Sequence, residues 1–249
     1  MSALGSRLLA AALIAATGAL LWLRTLTAPL DAIVRGAAGP PTVVMLHGYG
    51  SNAGDWLPFE EHWRFPDGTK RVYPQAPLRG PHPGRRGWWW LNVGGHVPPG
   101  SQFPDFSNAR PGGIKLAAGL VRDLLGRQPQ PIVLGGFSQG AMASGEIAFQ
   151  TDQELAGLIL LGGTTVDEEN WARHFADRRQ LPILIAHGRQ DGVLAFEQME
   201  RFQTRLEAAG LNVTWLPFDG DHGIPSEVVH AVNEFVNRVV GLQSPAGRR

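Results

Sequence analysis

The sequence predicts an α/β fold with a mainly parallel central sheet and helices on both faces. Short apolar runs alternate with amphipathic stretches along the chain, and the runs are continuous, as in strands that are buried on both faces. A chain of 249 residues, of which 43% are apolar, can form one such domain with a sizeable core.

The elements follow in chain order. Six short apolar runs predict the strands Thr42–Leu46, Arg71–Tyr73, Ile132–Leu134, Leu158–Leu161, Ile183–Ala186 and Val213–Leu216. Amphipathic stretches predict the helices Ile114–Leu125, Ala141–Phe149, Phe196–Ala208 and Glu227–Val240. In the first of these helices, apolar residues return every three or four positions and so share one face.

Composition excludes several classes of protein. Twenty-two basic residues balance twenty-two acidic ones, so the chain lacks the net positive charge typical of nucleic-acid binding. The only lysines, Lys70 and Lys115, do not belong to a Gly-Lys-Ser/Thr phosphate loop. The absence of cysteine excludes disulfides, thiol catalysis, zinc ribbons and iron–sulfur clusters.

The N-terminus is hydrophobic. Leu8–Leu23 is a run of sixteen uncharged residues between Arg7 and Arg24. It is longer than a signal-peptide core of about 7–15 residues and shorter than a spanning helix of about 17–25. We favour an uncleaved membrane anchor; a cleaved signal and a helix docked on the fold stay open. The protein is therefore expected to be membrane-anchored or exported (periplasmic or extracellular).

The domain boundaries follow from this pattern. Residues 1–35 are predicted to be the hydrophobic segment and a connector, residues 36–241 the catalytic domain, and residues 242–249 a C-terminal tail.

A loop from Pro74 to Gly112 interrupts the alternation. It contains eight prolines, seven glycines and three adjacent tryptophans, Trp88, Trp89 and Trp90. Loops of this length are usually functional or disordered, and disordered segments are poor in aromatic residues. We expect an ordered wall in which the tryptophans bind substrate. In an extended segment Trp88 and Trp90 would face one side and Trp89 the other. A compatible alternative is that they pack the loop onto the body.

A candidate nucleophile lies in Gly136-Phe137-Ser138-Gln139-Gly140, which follows a predicted strand and opens a helix. A G-x-S-x-G motif in this context places its serine on a sharp turn with the side chain exposed. Residues two before and two after the serine must be small, or they collide across the turn. The context predicts that Ser138 is a nucleophile.

A serine nucleophile needs a base. Hydrolases of this architecture have the chain order serine, acid, histidine. Of the eight histidines, only His222 and His230 follow a plausible acid, and His230 lies within a predicted helix. His222 lies in a loop between the last strand and the last helix, so we predict that it is the base.

The predicted acid is Asp191, directly after the strand Ile183–Ala186. Asp219 and Asp221 are competitors, but close sequence neighbours of His222 seldom reach its far ring nitrogen. An acid in this position orients the imidazole and stabilises its cation.

An oxyanion hole is also expected. The residue after the nucleophile, Gln139, supplies one backbone N–H. The second comes from the loop after the first strand, with Tyr49 favoured over Gly50. His47 in this loop has no partner at metal-ligand spacing, so no metal and no cofactor are predicted.

These segments resemble a known family. Leu-His-Gly-Tyr-Gly, Tyr-Pro-Gln-Ala-Pro, Gly-Phe-Ser-Gln-Gly-Ala, His-Gly-Arg-Gln-Asp-Gly-Val and Asp-His-Gly-Ile-Pro are similar to the carboxylesterase/phospholipase branch of the α/β-hydrolases, which includes acyl-protein thioesterases and lysophospholipases. The resemblance covers roughly 41–240 and implies the α/β-hydrolase fold. It implies Ser138, Asp191 and His222 as a catalytic triad, and the amides of Tyr49 and Gln139 as the oxyanion hole.

The resemblance also implies hydrolysis of carboxylic or thio-esters without a cofactor. We therefore expect a serine carboxylesterase that acts through an acyl-enzyme on a small-molecule ester or a lipid, with no nucleic-acid partner and possible membrane attachment through residues 8–23. The alternatives are a lysophospholipase at a membrane, a peptidase, and a non-catalytic binding protein on the same fold.

Overall fold

A computed structural model describes residues 28–80 and 82–243. The predicted membrane segment, residues 8–23, lies outside the described residues. The strands within them are β1 (Ala32–Arg35), β2 (Thr42–Leu46), β3 (Lys70–Pro74), β4 (Leu78–Arg79), β5 (Arg86–Gly87), β6 (Ile132–Phe137), β7 (Gly157–Leu161), β8 (Ile183–Gly188) and β9 (Val213–Phe218). The helices are α1 (Ile114–Leu125), α2 (Gln139–Gln150), α3 (Glu168–Ala172), α4 (Phe196–Ala208) and α5 (Ser226–Gln243). Shorter 3₁₀ helices span Ala53–Phe59, Gly94–His96 and Ala176–Arg178.

The central sheet is mainly parallel, as predicted. In the described part of the chain its strand order is β1-β3-β2-β6-β7-β8-β9, and β4 and β5 form a separate small hairpin. Neighbouring strands from β3 to β9 run parallel, and β1 runs antiparallel to β3. β2 has β3 as its neighbour on one side and β6 on the other, so the connection after β2 and the connection after β6 lead in opposite directions along the sheet. The loops after β2 and β6 therefore diverge and open a crevice at the carboxyl ends of the strands.

The two faces of the sheet carry separate cores. Along β2, Val44 and Leu46 pack in the cluster that includes residues of α1, α2 and α4. Val43 and Met45 point the other way, into the cluster with α5 and the 3₁₀ helix Ala53–Phe59. Successive strand residues alternate between faces. Because both faces are covered, all five β2 residues are buried, which explains the continuous apolar run.

The predicted connector contains a strand. β1 pairs with β3, with Ile33 opposite Tyr73, and so adds an antiparallel edge to the sheet. Val34, on the other side of β1, is 47% exposed. Within the described residues the sheet therefore begins at Ala32, inside the segment that the sequence assigned to the N-terminal region and connector.

Truncation separates the hydrophobic segment from the domain. We expect a chain lacking residues 1–27 to fold and to hydrolyse small water-soluble esters, because the sheet and the candidate site lie after residue 27. A chain lacking residues 1–35 loses β1 and its hydrogen bonds to β3, so we expect a lower melting temperature. The measurement is a melting curve for each chain beside p-nitrophenyl acetate hydrolysis.

The same pair of chains tests the membrane prediction. Within residues 28–80 and 82–243, none of the helices has the length and apolarity needed to cross a bilayer. Membrane attachment through residues 8–23 stays a prediction. It requires that the full chain co-sediments with vesicles and that the chain starting at residue 28 does not. An insoluble or unfolded shortened chain would instead assign residues 1–27 to the core.

Candidate active site

The serine of the G-x-S-x-G motif lies on a strained turn between β6 and α2. Ser138 has φ 56° and ψ −120°, in a region that residues with a Cβ rarely adopt. Its backbone N–H donates to the Leu161 carbonyl of the neighbouring β7 at 2.9 Å, and α2 begins at the next residue. Strand pairing and the helix therefore hold the strained conformation from both sides.

Two glycines allow this turn to form. A Cβ on Gly136 would collide with the backbone of Gly140, and a Cβ on Gly140 would collide with the carbonyl of Leu46 at the end of β2. Each position needs glycine because a backbone passes within contact distance. The small residues that the motif predicted are thus required by the packing of α2 against β6 and β2.

The structure brings Asp191 and His222 together. Asp191 follows β8, and His222 lies in the loop after β9. The Asp191 Oδ2 accepts a hydrogen bond from the His222 Nδ1–H at 2.7 Å. The Asp191 side chain is fully buried, whereas that of His222 is 17% exposed. The competing acid Asp219 has an 87% exposed side chain and lies 3.8 Å from Arg189.

Several donors converge on the Asp191 carboxylate. Its Oδ1 accepts the backbone N–H groups of Val193 at 2.8 Å and Leu194 at 2.9 Å. His187 Nε2 lies 3.1 Å from Oδ2. Burial by itself would raise the pKa of Asp191, but the hydrogen bonds from His187, His222 and Leu194 outweigh it and hold that pKa well below its usual range. The carboxylate is therefore ionised at neutral pH and suited to stabilise an imidazolium.

His187 is a second histidine on the same carboxylate. Its Nε2 also lies 3.1 Å from the Leu194 carbonyl, so this nitrogen faces two acceptors and carries the hydrogen. Its ring is fully buried. His187 therefore holds the loop after β8 in place through these two contacts and is not positioned as a second base. The sequence shows His187 four residues before Asp191 but gives no sign that both contact one carboxylate oxygen.

Ser138 follows a residue that contacts the predicted base. The ring of Phe137, the residue before Ser138, lies 4.7 Å from the His222 ring, measured between centroids. Among the described residues, the Ser138 Oγ has no hydrogen-bond partner. Hydrogen bonds between a nucleophile and its base often tighten only in the substrate complex.

The two predicted oxyanion amides have no protein acceptor among the described residues. In the part of the chain that the structure describes, the backbone N–H groups of Tyr49 and Gln139 donate to no protein atom. Gln139 is the first residue of α2, where backbone N–H groups lack intrahelical partners. The N–H of Gly50 donates to the Arg86 carbonyl at 2.8 Å. Of the two predicted second donors, Tyr49 is therefore the free one.

His47 braces the peptide that carries the Tyr49 amide. Its Nδ1 donates to the Gly48 carbonyl at 2.8 Å, and its Nε2 accepts the Ala76 N–H at 3.1 Å. The Gly48 carbonyl and the Tyr49 N–H belong to one peptide unit, so this hydrogen bond orients the N–H as well. Burial lowers the pKa of His47 to about 4, which keeps the ring neutral.

His47 makes the fold sensitive to mild acid. In the unfolded chain its pKa is near 6.5, and folding lowers it to about 4. Between these values only the unfolded state takes up the proton, so the free energy of unfolding falls as pH falls from about 6.5 to 4. We expect a loss of about 2 kcal/mol from this group between pH 7 and 5, measured by urea unfolding.

The control variants separate His47 from other groups. In His47→Asn the unfolding free energy between pH 7 and 5 changes less than in the natural chain. His174→Asn, at a half-exposed histidine, keeps the natural slope. An unaltered slope in His47→Asn contradicts the assignment.

The tryptophan segment does not alternate as predicted. Trp88 and Trp89 are both buried, at 1% and 0% exposure, and Trp90 is 61% exposed. The Trp88 Nε1 donates to the His47 carbonyl at 2.8 Å. The Trp90 ring packs edge-on to Tyr49 at 6.4 Å between centroids. Two tryptophans therefore attach the loop to the body, and Trp90 is the one that faces solvent beside the oxyanion loop.

The Gln139 side chain holds this segment in place. Its Oε1 accepts the Trp88 N–H at 2.9 Å, and its Nε2 donates to the Trp89 carbonyl at 2.8 Å. Gln139 is fully buried, so both amide ends are satisfied inside the protein. The G-x-S-x-G motif predicts a role only for the backbone N–H of Gln139. Nothing local in the sequence indicates that its side chain binds a loop about fifty residues earlier.

The loops after β2, β6, β8 and β9 thus meet at one edge of a mostly parallel sheet, with a serine elbow and a histidine–carboxylate pair among them. Such a fold and site define a hydrolase of the α/β-hydrolase class. The sequence matches the phospholipase/carboxylesterase family over residues 32–240, and the chain belongs to this family.

Individual relatives agree with this placement. The acyl-protein thioesterase 1 of Gibberella zeae is 27% identical over 224 residues, which cover 79% of this chain and 89% of that protein. The crystal structure of the esterase PE8 is similar with a TM-score of 0.71 and 26% identity, over 85% of this chain and 100% of that one. The structure of Zea mays acyl-protein thioesterase 2 has a TM-score of 0.68 at 23% identity, over 85% and 99%, and supports the fold.

Proposed function

We propose that the protein hydrolyses carboxylic esters with Ser138 as nucleophile, His222 as general base and Asp191 as the acid that orients it. The observation that carries the proposal is the 2.7 Å hydrogen bond between His222 Nδ1 and the buried Asp191 carboxylate, at the crevice that holds the strained serine. This bond leaves His222 Nε2 as the nitrogen that accepts a proton.

Acylation follows from this arrangement. The Ser138 Oγ attacks the ester carbonyl carbon, its proton passes to His222 Nε2, and the carbonyl electron pair moves onto oxygen. The backbone N–H groups of Tyr49 and Gln139 stabilise that oxyanion, and each such donor is worth about 10²–10³ in kcat. The carbon–oxygen bond to the alcohol then breaks, and the alcohol leaves with the proton from His222. An acyl-Ser138 ester remains.

Deacylation repeats the chemistry with water. His222 removes a proton from a water molecule as its oxygen attacks the acyl carbon. The bond to Ser138 Oγ breaks, and the Oγ takes the proton back from His222. The product is a carboxylic acid, and the enzyme returns to its starting state. No metal or redox group enters these steps.

Thioesters are the second candidate substrates. The relative from Gibberella zeae is named as an acyl-protein thioesterase, and this chain spans 89% of its length. The same attack on an acyl carbon releases a thiol in place of an alcohol, so the proposed residues serve both reactions. Parallel assays on an ester and a thioester of one acyl group measure the preference.

A serine-directed fluorophosphonate probe tests the nucleophile. We expect the probe to label the protein once, on Ser138 by peptide mass, and to abolish hydrolysis of p-nitrophenyl butyrate. Labelling elsewhere contradicts the assignment of Ser138. A protein that neither reacts with the probe nor hydrolyses esters, thioesters or lysophospholipids would be a binding protein on this fold.

Trp90 is the tryptophan for which a role in binding substrate remains a prediction. Its exposed ring beside Tyr49 suits contact with an acyl chain that leaves the oxyanion hole. We expect Trp90→Ala to lower kcat/KM for octanoate esters about tenfold more than for acetate esters, because apolar contact is lost only by the longer chain. The melting temperature stays close to that of the natural protein, since the side chain is exposed.

Trp88→Ala is the contrasting variant. It removes a buried ring and the hydrogen bond to His47, so we expect a loss of about 3–5 kcal/mol in stability. Equal chain-length profiles in Trp90→Ala and the natural protein would remove the segment from the substrate site.

A further inference from the structure

A cavity opens on the His222 side of Ser138. It has a volume of about 260 Å³ and lies between the loop after β2, the 3₁₀ helix Ala53–Phe59 and the loop that holds His222. Its apolar wall consists of Trp56, Phe59, Phe137 and Ile224. Its remaining lining includes His222 itself and Gly48, whose Cα is close enough to Ser138 that an added Cβ would lie 3.3 Å from the serine Cβ.

Neither Tyr49 nor Gln139, which carry the predicted oxyanion amides, lines the cavity, and the tryptophan segment does not line it either. Gly48 and Ser51 of the oxyanion loop do line it, so the cavity begins beside that loop. An ester bound at Ser138 points its carbonyl oxygen toward those amides. Its two other substituents, the acyl chain and the alcohol, must extend in different directions from the same carbon. The proton that His222 gives to the leaving group indicates which of the two substituents lies in the cavity.

The proton transfer from His222 indicates which group of the ester occupies the cavity. In the proposed reaction the alcohol oxygen takes a proton from His222 as its bond to carbon breaks. A general acid must lie within hydrogen-bond reach, about 2.6–3.2 Å, of the atom that it protonates. His222 is part of the cavity wall. This requirement favours the leaving alcohol or thiol, rather than the acyl chain, as the group that fills a cavity bordered by His222.

We propose that this cavity is the leaving-group subsite and that it selects esters or thioesters of uncharged alkyl or aryl alcohols or thiols. The inference rests on the proposed function. The cavity is smaller than the roughly 300–1,000 Å³ typical of sites for drug-sized ligands, so it suits a small group such as that of hexanol or benzyl alcohol. Aromatic and aliphatic walls favour an apolar group and disfavour a charged one, because burying an unpaired charge is costly.

Two ester series separate the leaving group from the acyl chain. The first keeps butyrate and varies the alcohol from methanol to butanol and hexanol, which are leaving groups of nearly equal acidity. The second keeps methanol and varies the acid from acetate to octanoate. The series are compared by kcat/KM, which depends on all steps up to and including release of the alcohol. We expect hexyl butyrate to exceed methyl butyrate by at least about tenfold.

Variants of the cavity wall should alter only the first series. Phe59→Leu and Ile224→Ala each enlarge the cavity, from two different elements, the 3₁₀ helix Ala53–Phe59 and the loop after β9. In both, we expect the hexyl-to-methyl ratio to fall by at least about threefold while the acyl series keeps its natural profile. Phe65→Leu is the matched control, because Phe65 stacks in the same aromatic row at 5.1 Å from Trp63 and does not line the cavity. It keeps the natural ratio.

The outcomes distinguish this inference from the proposed function. If both wall variants keep the hexyl-to-methyl ratio, or if they change the acyl series instead, the cavity is not the leaving-group subsite although Ser138-dependent hydrolysis stands. If the natural protein hydrolyses no ester or thioester, both are overturned. Two wall variants with folded melting curves and a reduced ratio support the subsite.

Discussion

Ser138→Ala should abolish ester hydrolysis and leave the fold intact. Loss of the nucleophile of a serine hydrolase lowers kcat by up to about 10⁶. The Ser138 Oγ has no hydrogen-bond partner among the described residues, so its removal costs the folded state little, and alanine adopts the same strained turn at similar cost. We expect the melting temperature to change by a degree or two at most. The measurements are hydrolysis of p-nitrophenyl butyrate and a thermal melt.

Ser144→Ala is the matched control. Ser144 is a buried serine one and a half turns into α2, and its Oγ donates to the Gly140 carbonyl at 2.9 Å. Its loss should lower stability by about 1 kcal/mol and leave kcat close to natural. More than about 1% residual activity in Ser138→Ala, against the expectation from triad loss, assigns the nucleophile to another residue.

Asp191→Asn should lower kcat by about 10³–10⁴. The carboxylate faces four donors, from His187, His222 and the backbone N–H groups of Val193 and Leu194. An asparagine amide has one oxygen and one NH₂, so in either orientation the NH₂ opposes a donor. If it faces His222, the imidazole must present its lone pair to the amide and adopt the wrong tautomer. If it faces the backbone, the loop after β8 is displaced.

Asp219→Asn and Asp221→Asn, at two positions just before the base in the sequence, serve as controls. Both side chains are exposed, and each removes the same charge near His222 without touching its Nδ1. We expect changes of less than about threefold in kcat, because exposed charges are screened by solvent. A loss of activity in either variant that equals the loss in Asp191→Asn would transfer the role of acid to that residue.

The strands that position the site could be predicted because they are buried on both faces. β2, β6, β7 and β8 give continuous apolar runs, and the predicted runs differ from the observed strands mainly at their carboxyl ends. β1 was missed for the opposite reason. It is an exposed edge of four residues, and only Ile33 packs against a core, so it has no apolar run to detect.

The tryptophan segment shows why side-chain direction was wrongly predicted. The alternation of an extended strand holds only while the backbone stays extended. β5 ends at Gly87, and Trp88 and Trp89 lie in a bend that the Gln139 side chain and the His47 carbonyl stabilise. Those partners lie about forty to fifty positions away along the chain. A local pattern contains no information about contacts of that kind.

The residues of the candidate site also divide into those that the sequence predicts and those that depend on distant contacts. Ser138 could be predicted from a local motif, because the turn needs glycines at fixed positions. His222 and Asp191 lie 31 residues apart, and chain order with the strand ends predicts that they pair; in the structure His222 Nδ1 lies 2.7 Å from Asp191 Oδ2. His187 and His47 act through tertiary hydrogen bonds, and their neighbours in sequence do not reveal the partners.

The backbone at Ser138 has a consequence for protein engineering. A non-glycine residue with φ 56° and ψ −120° costs about 1–3 kcal/mol, which glycine would recover in part. Ser138→Gly therefore combines a gain in thermal stability with the loss of the nucleophile. A selection for thermostable variants that monitors only folding or expression would enrich this inactive substitution. The position where activity and robustness conflict most directly is thus the reactive residue itself, so directed evolution of this scaffold needs a turnover screen at every round.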